Sequence, residues 1–158
     1  MKIVITVGLP GSGKSTYLKR RGLNAISSDE VRRLIADDPA DQSIHARVFA
    51  TIRYLIRQRL TVGRPVTYVD ATHLTRWERR PYIRLARRYG VTIDALFFDT
   101  PVEICIERNK RRERVVPEEA IRRMVLVMQA PVVEEGFDRI IRPRMNADKR
   151  GIRMGLLT

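Results

Sequence analysis

Near the amino terminus, Gly8-Leu9-Pro10-Gly11-Ser12-Gly13-Lys14-Ser15 places four residues between a glycine and Gly-Lys-Ser. That spacing suits phosphate chemistry. Glycines let backbone N–H groups turn inward around phosphate oxygens, and the helix that opens at the end of the run adds positive potential. Lys14 is then placed to reach the terminal phosphates of a nucleoside triphosphate and Ser15 to ligate a magnesium ion. The expected nucleotide-binding residues are Gly11, Ser12, Gly13, Lys14, Ser15 and Thr16. Asp70, at the end of the apolar run Val66–Val69, is the candidate second carboxylate for the metal. A guanine-reading Asn-Lys-x-Asp motif is absent from the chain.

Two further groups bear on what is done with the triphosphate. Asp29 and Arg32 lie three apart, hence on one helix face, where a carboxylate can accept a proton from a hydroxyl while an arginine holds a phosphate. An aspartate is too weak a base to ionise an alcohol beforehand, so its role is late proton acceptance in a loose phosphoryl transfer. Arg108, Arg111, Arg112 and Arg114 cluster between two helical patterns, as a mobile lid would require. Guanidinium forks match phosphate oxygens, and Arg112, then Arg108, are the expected donor contacts.

These residues need a scaffold that gathers them. Lys2 to Val7 reads as a strand buried on both faces, followed by a glycine loop and a helix from about Lys14 to Arg20. Asn24 to Ser27 predicts a short strand, and Ser28 is the expected cap of a helix over about 29–36. A longer helix is expected from about Ser43 to Gly63, with Ile44, Val48, Ile52, Leu55, Ile56 and Leu60 on its buried face. After the strand ending at Asp70, Thr75-Arg76-Trp77-Glu78 is a capping box, and Pro81 is expected to kink the helix or shift its start. Val91 to Phe98 predicts a strand and Pro101 the first position of another helix; a last helix after Pro117 carries Ile121, Met124, Val125 and Met128 on one face. Phe137 to Arg142 predicts a final short strand. Alternating strands and helices imply an α/β fold: a parallel sheet of about four to five strands, helices on both faces, ligands at the carboxyl strand ends and an arginine-rich lid. One domain over residues 1–142 is expected, with a basic tail over 143–158.

The chain has 158 residues, of which 26 are arginine and 5 lysine against 18 acids, a formal net charge of +13. With 44% hydrophobic residues it has the apolar content to fold, which excludes an intrinsically disordered chain. Single Cys105 excludes an internal disulfide and a multi-cysteine zinc site, and with no signal peptide or membrane span in the pattern a cytoplasmic location is expected. Arg76, Arg80, Arg84 and Arg87 or Arg88 recur about every four residues as a basic stripe able to follow a polynucleotide backbone. A solvated helix face would show the same spacing. His45 is expected to be structural or exposed, and His73 to be a polar residue of a strand-to-helix loop.

Gly-Leu-Pro-Gly-Ser-Gly-Lys-Ser-Thr, Asp29-x-x-Arg32, Val69-Asp70-Ala71-Thr72 and Arg108-Asn109-Lys110-Arg111-Arg112 with Val116-Pro117 together resemble the kinase domain of bacteriophage and bacterial polynucleotide 5′-hydroxyl kinases, over about residues 1–142. The resemblance implies a P-loop NTPase fold, ATP and Mg2+ as cofactors, and a 5′-hydroxyl polynucleotide, DNA or RNA, as partner. It implies that Lys14 and Ser15 bind the triphosphate and magnesium, Asp29 is the general base, Arg32 contacts the acceptor and Arg112 the donor. Several relatives carry a phosphatase or other end-healing domain for which this chain has no room, and His73 stands where relatives often have asparagine. Transfer of the γ-phosphate to a 5′-hydroxyl is the leading expectation. A kinase of a small-molecule hydroxyl (sugar, nucleoside or antibiotic) and an ATP-dependent switch module are the alternatives.

Overall fold

A run of β-branched residues buried on both sides needs a layer on each face, and the chain supplies both. The computed structural model describes the backbone of residues 1–148 and 151–155 and the side chains of residues 1–143. Strand β1 (Lys2–Val7) is followed by α1 (Lys14–Arg20), β2 (Ala25–Ser27), α2 (Ser28–Ala36), α3 (His45–Val62) and β3 (Val66–Asp70). Then come α4 (Arg76–Tyr89), β4 (Thr92–Phe97), α5 (Val102–Asn109), α6 (Glu118–Val127) and β5 (Arg139–Ile141). These five strands form one parallel sheet in the order β2-β3-β1-β4-β5. The sequence-based range of four to five strands is met at its upper end.

Alternation along β1 decides which helices lie where. Ile3, Ile5 and Val7 point to the face covered by α2, α3 and α4, where Val31, Ile52, Ile56, Tyr82 and Ile83 complete the main core. Val4 points to the opposite face and packs with Tyr17 and Leu18 of α1, Leu96 and Phe98. Asp94 is 1% exposed within β4, a position whose desolvation needs compensation. Lys2 at 3.2 Å and Arg139 at 2.9 Å, one from each neighbouring strand, supply it.

Several boundaries differ from the sequence reading. Ser27, not Ser28, caps α2, its hydroxyl accepting from the Glu30 N–H at 3.3 Å. The long helix begins at His45 after a 3-10 turn over Gln42–Ile44. Pro81 lies inside α4 without shifting its start, because Thr75 already fixes that start by accepting from the Glu78 N–H. Glu78 answers one residue further back than a capping box requires, at the Leu74 N–H. Pro101 caps α5 instead of occupying its first turn, and Val125 of α6 is exposed while Ile121 is buried. Within the stretch read as a basic tail, β6 (Arg144–Asp148) and β7 (Gly151–Gly155) pair as an antiparallel ribbon; residues 149, 150 and 156–158 lie outside the described residues. No described helix is long and apolar enough to cross a membrane.

Candidate active site

The loop after β1 is a backbone device held from two sides and by a hydrogen bond of its own. Gly8 donates its N–H to the Thr72 carbonyl at 3.0 Å, Thr100 donates its hydroxyl to the Ser12 carbonyl at 2.9 Å, and Ser12 donates its N–H to the Leu9 carbonyl at 3.1 Å. Gly11 has φ 80° and passes against α5, where a Cβ would collide with the Cys105 carbonyl. Gly13, at φ 104°, caps α1 in the left-handed region that a side chain would strain. Ser12 is fully buried beneath the loop, and its hydroxyl has no partner among the described residues. Its side chain therefore faces away from the cleft, while Gly11, Gly13, Lys14, Ser15 and Thr16 line it.

Lys14 folds back, donating from Nζ to the Gly8 and Leu9 carbonyls at 3.0 and 2.8 Å. Burial pushes its pKa down to about 8; the charge of Arg112 adds to this, whereas Asp70 and Asp29 oppose it. A buried ammonium whose hydrogen-bond partners among the described residues are loop carbonyls is ready for an anion. Beside it, Ser15 donates its hydroxyl to Asp70 Oδ2 at 2.6 Å across the gap between α1 and the end of β3. Among the described residues no group of three His, Cys, Asp or Glu side chains can hold a metal unaided. A hydroxyl and a carboxylate beside a phosphate cradle fit magnesium, which takes one or two protein oxygens and fills its shell with phosphate and water.

Asp29 stands on the other wall, at the first turn of α2 directly after β2. Arg32 donates to its Oδ1 at 3.2 Å, Arg114 to the same oxygen at 2.8 Å, and Arg112 lies 3.9 Å from Oδ2. The loop between α5 and α6 thus reaches across the cleft to Asp29. Arg32 is only 4% exposed; desolvation lowers its pKa, its NH1 also reaches the Pro39 carbonyl at 3.5 Å, and its Nε is buried without a partner among the described residues. Arg114 makes the shortest of these contacts to Asp29, a placement that four arginines in seven positions do not signal in the sequence.

The lid loop between α5 and α6 is fastened at its base. Asn109, 1% exposed, donates from Nδ2 to the Val116 carbonyl at 2.6 Å and accepts the Val116 N–H on Oδ1 at 3.0 Å. The cleft, partly open to solvent, measures about 1120 Å³, with Arg108, Arg111, Arg112 and Arg114 along the side of the α5–α6 loop and Asp29, Arg32, His45 and Phe49 along the other.

His73 has φ 45° and a ring that is 1% exposed. Its Nδ1 lies 2.6 Å from the Thr6 carbonyl, which can only accept, so Nδ1 carries the proton. Burial pushes the ring's pKa down to about 4, and Lys14 and Arg79 act in the same direction. Packed between Phe49 and Tyr82, it is a neutral structural residue. Arg79, fully buried on α4, holds the His73 carbonyl at 2.9 Å and forks onto Glu135 at 2.9 and 3.0 Å. This strut sets the turn from Asp70 into α4, and its spacing of 56 residues hides it from any local pattern.

The family model described as AAA domain matches residues 3–131, most of the chain. The chain belongs to that family. In this AAA domain the fold is the kinase-type P-loop fold seen above. Human L-seryl-tRNA(Sec) kinase is 32% identical over 78 residues, 49% of this chain and 22% of that protein. A chain of the Pnkp1/Rnl/Hen1 RNA repair complex superposes with TM-score 0.68 at 27% identity, covering 87% of this chain and 46% of that one. The APS kinase CysC of Mycobacterium tuberculosis, in complex with AMPPNP and APS, superposes with TM-score 0.59 at 22% identity, covering 94% and 92%. The chain spans less than half the length of the first two.

Arg76, Arg80 and Arg84 of the AAA domain are exposed along α4 and are not part of the cleft wall. The Arg76 N–H donates to Gln129 Oε1 at 3.0 Å, which ties the start of α4 to the end of α6. Cys105 is buried, with its thiol pKa pushed up by burial, so it is a packing residue beneath Gly11.

Proposed function

We propose that this domain transfers the γ-phosphate of ATP, with Mg2+, to the 5′-hydroxyl of a polynucleotide. The observation that carries the reading is Asp29: a carboxylate across one cleft from Lys14 and Ser15, set in place by Arg32 of its own helix. In this mechanism Gly11, Gly13, Lys14, Ser15 and Thr16 hold the triphosphate. Ser15 and Asp70 would hold magnesium, which when bound neutralises phosphate charge. The acceptor oxygen forms a bond to the γ-phosphorus as the bond to the β–γ bridging oxygen breaks, and Asp29 takes the hydroxyl proton late in that step. ADP leaves. Arg32 contacts the acceptor strand, while Arg112 and Arg108 contact the donor phosphates and stabilise charge on the transferring group. The exposed Arg76, Arg80 and Arg84 follow the polynucleotide backbone beyond the cleft.

The likeness to a chain of an RNA repair complex supports this acceptor. A small-molecule hydroxyl is the second reading, favoured by the fit of this fold to nearly the whole of the APS kinase chain. The two separate in one assay: γ-labelled ATP is offered with a 5′-hydroxyl oligonucleotide and, in parallel, with a panel of sugars and nucleosides. Label on the oligonucleotide is expected. Label on a small alcohol alone would favour the second reading.

A further inference from the structure

The wall that carries Asp29 and Arg32 also carries two aromatic rings in contact. His45, exposed in the first turn of α3, lies with its ring centroid 4.6 Å from that of Phe49 one turn later, the planes inclined by 41°. Phe49 is half-buried, packs on the main core and meets the fixed His73 ring edge-on at 6.4 Å. The inner ring is therefore anchored, and the outer one packs against it in the wall of the cleft that Asp29 and Arg32 also line. Helix α2, which carries those two residues, packs against α3, so the base-catalytic carboxylate and the two rings belong to one rigid wall. Ala40 and Gln42 complete it. The two rings match the flat face of a nucleobase joined to the sugar whose hydroxyl reacts, while Gln42, Asp29 and Arg32 supply polar groups beside them.

We propose that His45 and Phe49 form a platform on which the terminal base of the acceptor stacks, so that recognition includes the nucleobase beside the reacting hydroxyl. The platform rests on the acceptor class proposed above. Stacking is tolerant of sequence because every base has a π-face, so all four bases are bound alike and a missing base weakens binding.

The test compares two oligonucleotides with a 5′-hydroxyl, one ordinary and one whose 5′-terminal nucleotide is abasic. The abasic acceptor is expected to raise KM by about tenfold to a hundredfold, the range a lost stack implies, with kcat little changed. His45→Ala is expected to raise KM for the ordinary acceptor, leave KM for the abasic acceptor and for ATP unchanged, and be rescued by His45→Tyr. Transfer to both oligonucleotides with equal KM overturns the platform alone, as does a His45→Ala effect equal on both. No transfer to either overturns the acceptor class and the platform with it.

Discussion

Lys14 makes the site sensitive to pH in a definite direction. Its folded pKa of about 8 lies below the ordinary value of 10.5, because burial disfavours the ammonium. Phosphates favour the charged form, so ATP binding above pH 8 takes up a proton, and ATP affinity is expected to fall as pH rises from 8 toward 10. Calorimetric titration in two buffers of different ionisation enthalpy reads that uptake directly. The contribution of Lys14 to folding runs the other way. Between pH 8 and 10.5 the unfolded chain binds the extra proton, so this contribution rises with pH over that span. Asp29→Asn removes the proton acceptor while keeping the shape of the side chain. It is expected to lower kcat by about 10²–10⁴-fold, with ATP affinity by fluorescence titration unchanged within a few-fold. A kcat near wild type would remove Asp29 from the chemistry. The phosphate loop was legible in the sequence because its residues are contiguous and each has a separate backbone or charge role. Arg114 was not, because inward and outward arginines of one loop look alike until α5 and α6 aim them.

At the scale of elements, the lid depends on Asn109. Its amide replaces a missing backbone pairing and satisfies both polar groups of Val116. Asn109→Ala leaves that carbonyl and N–H without their partner, a loss of about 1–3 kcal/mol for a buried group. The expected result is faster tryptic cleavage after Lys110 to Arg114 and a higher KM for ATP; an unchanged cleavage rate would contradict the staple. The capping signals show how local chemistry is read and misread. Ser27 and Ser28 are adjacent and both able to cap, and only the end of β2 decides that the helix begins at Ser28 with Ser27 outside it. Thr75 was recognisable because the Glu three residues on pointed to one start. The aromatic pair on α3 was hidden for a different reason: His45 and Phe49 share a face by spacing, but only the docking of α3 on α2 brings that face to the cleft.

Across the whole molecule, the 31 basic side chains divide into some already engaged with acids and others turned outward. Arg32, Arg112 and Arg114 converge on one carboxylate, Arg79 is buried on Glu135, and Arg139 and Lys2 share Asp94. What faces solvent as a stripe is the α4 series. Oligonucleotide KM is therefore expected to rise steeply with salt, as counterion release requires, and Arg80→Glu with Arg84→Glu to weaken oligonucleotide use while KM for ATP holds. A flat salt response would assign the stripe to solvation. The parallel sheet itself was readable from its buried runs, whereas the Arg79–Glu135 strut and the Asp94 cluster join distant segments and have no local signature. The most direct measurement of the central claim uses γ-labelled ATP and one oligonucleotide in two forms, with a 5′-hydroxyl or a 5′-phosphate. Label carried only by the 5′-hydroxyl form, and lost with Asp29→Asn, is the predicted result; label on neither form, or equally on both, would contradict it.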